Sequence, residues 1–197
     1  MKELTGILDS AVYKLLVTRL IPGATAISTY VWLLASHLTP SPAVCRDFRL
    51  EIDLVILFVA SAAGLLIDDV GMILENRYFK GLKAELSEST PPRDPTAEWY
   101  LYLRTGFVIE PVGHGFLKHI LVMLKFEINM AIALMVMSVG VFWIAMPSAA
   151  KIATLVMAWG AAVFLGGSAA KKSVDHLATL RFELLKGVRQ SVDTGGA

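Results

Sequence analysis

Four stretches of this chain are apolar over the length that a helix needs to cross a bilayer, about 20 residues. They are 20–38, 54–74, 128–146 and 152–170. A chain that carries such segments has few folds open to it. In lipid every backbone N–H and C=O must be satisfied internally, which leaves helices as the economical solution. The expected fold is therefore all-α: a polytopic membrane protein of four transmembrane helices. Composition agrees, with 55% apolar residues, 18% charged residues and a mean hydropathy of +0.61. The net charge of +1 argues against a nucleic-acid partner, which a basic excess would attract. The one cysteine, Cys45, excludes an intrachain disulfide framework.

The second span admits two registers. Starting it at Phe48 would leave Asp68 and Asp69 at the boundary but would bury Arg49, Glu51 and Asp53. The register 54–74 is preferred for that reason. The link around Pro147 and Lys151 is short enough to force the third and fourth spans into an antiparallel hairpin. Of the eighteen Lys and Arg residues, only Arg46, Arg49 and Lys151 fall in the two loops on one side. The remainder flank the termini and the middle loop, which predicts both termini in the cytoplasm. A bacterial inner membrane is the expected location.

Outside the spans, residues 1–19 have the period of an amphipathic helix, with Leu4, Ile7, Leu8, Ala11, Val12, Leu15 and Leu16 on one stripe. It either lies in the membrane interface or packs on the protein's own middle loop. That loop, 75–118, begins with ENRYFKGLKAELSES, read as a helical extension of the second span. Pro91, Pro92 and Pro95 divide it. Pro111, Gly113 and Gly115 predict a turn, with the next helix starting near Phe116. The tail, 171–197, has a partial apolar helical face formed by Val174, Leu177, Leu184, Leu185 and Val188. Amphipathic cytoplasmic helices are thus expected at both ends, within a single membrane domain.

Ionisable groups inside a span are costly and point to function or to a partner. In the second span, Ser61, Gly64, Asp68, Gly71 and Glu75 recur at spacings of 3, 4, 3 and 4, and so share one helix face. Asp69 points about 100° away. The expected partners are Lys125 and Asn129, with Lys118 on the same face of the third helix, all near the same side of the membrane. The stripe has three readings: a structural ion pair between helices, the lining of a water-filled path, or a carboxylate site. A metal reading would recruit His114 and His119, but their spacing of five does not suit one helix face. No metal or cofactor is expected. Phosphate-loop, GxSxG and HExxH patterns are absent. The small residues of 152–170 suit close packing within the bundle or between subunits.

Three functions fit these features. The first is a homo-oligomeric pore or membrane-perturbing effector lined by the acidic stripe, by analogy with small bacterial defence proteins of this shape. The second is a membrane scaffold or accessory subunit that docks a soluble cytoplasmic partner through its loop and tail. The third is a membrane enzyme using Asp68, Asp69, Glu75, His114 and His119.

Overall fold

The computed structural model describes residues 12–38, 48–87, 97, 100 and 112–194. Among these, every regular element is a helix. A π-helical turn, Leu16–Leu20, runs without a break into α1, Ile21–Leu38. Then come α2, Arg49–Ser87, and α3, Val112–Val141. A rod completes the chain: α4, Ser148–Val163, a second π-helical turn, Phe164–Ala169, and α5, Ala170–Thr194.

Three helices are long and apolar enough to cross a membrane: Arg49–Leu86, Gly115–Val141 and Ser148–Leu184. The chain is therefore read as a helical membrane protein. The segment expected as the first of four spans, 20–38, is helical but is not among these three. Its run of Thr25, Ser28, Thr29, Ser36 and His37 lowers its hydropathy. Its hydroxyls are nevertheless served internally: Thr25 and Ser28 donate to the carbonyls of Ile21 and Thr25. Thr29 and Tyr30 donate across to the Met137 and Val136 carbonyls of α3.

The helix α3 is the hub. It packs on α1, α2, α4 and α5, while α1 wedges against both α2 and α3. By contrast, α4 rests on α3 and makes no substantial contact with α1 or α2. Along its axis the molecule has two characters. In one half the surface is apolar: Phe58 and Leu66 of α2 are 74% and 68% exposed, and Val156 and Met157 of α4 and Phe164 of the π turn after it face outward as well. Surface of this kind matches lipid rather than water. The other half is an ordinary amphipathic three-helix bundle. Leu82 of α2, Leu117, Ile120 and Leu124 of α3, and Val174 and Leu177 of α5 form its buried core. Lys80, Lys118, His119, Lys172 and His176 face outward there. The length of α2 explains the division. Its 39 residues reach about 58 Å, nearly twice the ~30 Å hydrocarbon thickness of a bilayer.

Several boundaries differ from the sequence expectation. The helix α3 starts at Val112, so Gly113 and Gly115 lie in its first turn rather than in a loop. Helix ends tolerate glycine because those positions need little side-chain packing. The same helix stops at Val141 rather than running to Met146. Tight bonds from Trp143 N to Gly140 O and from Ile144 N to Val141 O close it, ahead of Pro147, which disfavours helix in the residue before it. The span 152–170 and the tail are continuous, with no break at Lys171. Most of the 1–19 helix, and the part of the middle loop around the prolines, lie outside the described residues.

Candidate functional site, a charge cluster between three helices

The geometry starts from two glycines. Where α1 and α2 cross, a Cβ on Gly23 would strike the Ala60 carbonyl, and one on Gly64 would strike the Arg19 carbonyl. The two backbones therefore touch, as small residues permit between membrane helices. The helices are antiparallel. One turn back along α1 and one turn forward along α2 bring Arg19 opposite Asp68. Arg19 Nε donates to Asp68 Oδ2 at 3.0 Å, and its terminal nitrogen lies 3.0 Å from the same oxygen.

The other carboxylate oxygen is served from α3. Gly71, three residues past Asp68, leaves room for the Asn129 side chain, whose amide oxygen a Cβ there would strike. Asn129 is 1% exposed and uses both amide protons. One goes to the Thr18 carbonyl at 2.7 Å, and the other to Asp68 Oδ1 at 3.2 Å. One turn earlier on α3, Lys125 Nζ lies 3.9 Å from the same oxygen. A carboxylate that is 13% exposed thus has two cations and an amide donor. Burying an ionised group is costly unless it is paired and hydrogen-bonded in this way. Farther along, Glu75 lies within the electrostatic reach of Lys125, Arg181 and Asp68. Arg181 of α5, itself buried, sits 5.4 Å above the Phe79 ring. Charges of alternating sign therefore run down the interior, from the Arg19 turn to the three-helix bundle.

Both π-helical turns belong to this arrangement. A π turn shifts the hydrogen-bond ladder by one residue and frees a carbonyl. In the first turn Asn129 donates to the Thr18 carbonyl, whose i+4 residue is Pro22 and has no N–H to offer, and the Tyr78 hydroxyl of α2 donates to Gly166 in the second. Gly166 also packs against Ala131 of α3, so both turns flank the same stretch of α3.

The residues singled out in the sequence separate as follows. Gly64, Asp68, Gly71 and Glu75 turn inward together, and Lys125 and Asn129 meet Asp68. Ser61 donates to the Leu57 carbonyl within its own helix. Asp69 is exposed, on the side away from the cluster, and Lys118 is exposed on the bundle surface. His119 is also exposed, and the His114 side chain lies outside the described residues. Among the described residues no three histidine, cysteine, aspartate or glutamate side chains converge on a point where a metal could sit. Arg19 has the shortest contact with Asp68, yet the sequence placed it merely at the end of an amphipathic segment. Its signal was its distance of one turn from Gly23.

Against known proteins the chain stands apart: no family model, curated protein or solved structure matches it.

Proposed function

We propose that this chain is a four-span membrane scaffold or accessory subunit, with both termini cytoplasmic, whose projecting three-helix bundle docks a soluble protein. One observation carries the reading. Asp68, the charge best placed to line a path, is engaged by Arg19, Asn129 and Lys125 of its own chain. In this reading the acidic stripe sets the register of α1, α2 and α3. The bundle remains as the surface with charge and length to spare, and the excess of Lys and Arg around it supports a cytoplasmic position. The test is site-specific photo-crosslinking in cells from Lys80, His119 and Lys172, with Val156 and Val163 as lipid-facing controls. A discrete protein adduct from the bundle positions alone is expected. Absence of any bundle adduct, together with channel conductance by the purified protein, would overturn the reading.

A second reading, a homo-oligomeric pore or membrane-perturbing effector, has its own support. Gly160 and Gly167 are seven residues apart, face outward, and have open space where a side chain would be. Such a face suits close approach of a second copy. Mass measurement in nanodiscs separates the readings: a ring of four or more copies favours the pore, and a monomer removes it.

A further inference from the structure

Just beyond the apolar belt, α2 and α5 enclose a groove of about 210 Å³ lined by Arg77, Tyr78, Gly81, Glu85, Lys171 and Asp175, among others. We infer that this groove holds the headgroup of a zwitterionic aminophospholipid drawn from the surrounding bilayer. The inference goes beyond the docking reading and rests only on these helices crossing the membrane.

Three observations support it. The first is depth. The exposed large apolar residues of α2 end at Ile73, one turn before Arg77, and those of the α4–α5 rod end at Phe164, about 10 Å of helix before Lys171. The groove therefore lies where the headgroups lie. The second is charge order. Each of α2 and α5 is antiparallel to α3, so the two run side by side in one direction. Each presents its cation first and its anion one or two turns later: Arg77 then Glu85, and Lys171 then Asp175. An aminophospholipid has the complementary order. Its phosphate is next to the glycerol, and its ammonium lies farther out towards water. The phosphate then meets Arg77 and Lys171, and the ammonium meets Glu85 and Asp175.

The third observation is access. Above the groove, α4 leans on α3 and makes no substantial contact with α2, which leaves a lipid-facing seam for an acyl chain. Gly167, one turn above Lys171, has nothing near its Cβ position, and neither has Gly81 within the groove. Lys171 and Glu85 pair across the groove at 3.5 Å, with side chains 60% and 63% exposed. A pair so exposed holds weakly and yields to a ligand that satisfies both ends.

The test places the full chain in nanodiscs containing equal parts of phosphatidylethanolamine, phosphatidylcholine and phosphatidylglycerol. Lipids retained after mild detergent extraction are then read by native mass spectrometry. The expected result is retained phosphatidylethanolamine, at least tenfold enriched over the other two. Arg77→Ala with Lys171→Ala should abolish retention. Glu85→Gln with Asp175→Asn should erase the preference for the amine headgroup. Gly81→Leu fills the groove and raises helix propensity, so it should expel the lipid from a protein that still folds. Equal retention of phosphatidylglycerol, or retention unchanged by all three variants, would overturn the proposal. So would tight binding of soluble phosphoethanolamine with no lipid adduct.

Discussion

Arg19, rather than Lys125, should be the principal partner of Asp68, and a pair of double-mutant cycles can measure the difference. Two unit charges about 4 Å apart attract by roughly 4 kcal/mol at an effective dielectric constant near 20. Two features lower that figure for Arg19 and Asp68. Desolvation of the carboxylate opposes it, and the Arg19 side chain is still 41% exposed. Two nitrogens 3.0 Å from one carboxylate oxygen restore part of it through charge-assisted hydrogen bonding. A coupling of about 1–2 kcal/mol follows, between the values for exposed and buried pairs. Lys125 stands at 3.9 Å, has no hydrogen bond to Asp68 and is 28% exposed. Its coupling should be near 0.5 kcal/mol. The cycles use Arg19→Gln, Lys125→Gln and Asp68→Asn, singly and paired, with reversible unfolding in mixed micelles monitored by tryptophan fluorescence. Asp68→Asn keeps the side-chain volume, and glutamine at 19 and 125 keeps part of the stem and a polar end, which limits cavity effects. The reasoning fails if the Lys125 coupling equals or exceeds the Arg19 coupling, or if the Arg19 coupling is under about 0.3 kcal/mol, the usual error of additivity.

Two further outcomes follow from the packing. Gly64→Ala should lower stability by about 1–3 kcal/mol, since its methyl group meets the Arg19 carbonyl and the α1–α2 crossing must open. Gly160→Ala, in open space, should be neutral or stabilising by up to about 1 kcal/mol; equal losses at the two sites in thermal melts would refute the crossing. Tyr78→Phe should cost about 1 kcal/mol and speed amide hydrogen exchange around the Phe164–Ala169 turn, because the Gly166 carbonyl loses its donor. Unchanged exchange there would show that the hydroxyl does not cap the turn.

Local patterns made part of this molecule legible. The 3, 4, 3, 4 spacing from Ser61 to Glu75 is a property of one helix, and it marks the face of α2 that turns Gly64, Asp68 and Gly71 inward. The continuation of that helix through Ser87 was written in ENRYFKGLKAELS, which contains no breaker stronger than Gly81. Lys125 and Asn129 were recoverable because antiparallel neighbours place them at the depth of Asp68. What stayed hidden depends on contacts between distant segments. Arg19 is 49 residues from Asp68, and before the crossing point is known an arginine beside a span reads as a flank reaching for headgroups. Pro22 marks an irregularity after the first π turn, but the second has no signature of its own. Gly166 and Gly167 read as generic small packing residues until Tyr78 is seen to cap the freed carbonyl.

The same distinction explains why the amide at 129 matters more than its chemistry alone suggests. Asn129 was legible as a polar residue near one end of a span, but not as a residue with two obligations. One N–H holds the Thr18 carbonyl, which Pro22 four residues on cannot serve, and the other holds the carboxylate of Asp68. The π turn in turn carries Arg19 to that carboxylate. Three helices therefore meet at one side chain, and each contact is possible only because another exists. A straight α-helix through Leu16–Leu20 would rotate Arg19 by a fraction of a turn, away from that carboxylate, while the Thr18 carbonyl would still lack a donor at Pro22. The irregularity in the backbone and the pairing of the buried charge are one feature, set by glycine at 23, 64 and 71, where the helices come close enough for a short amide to bridge them.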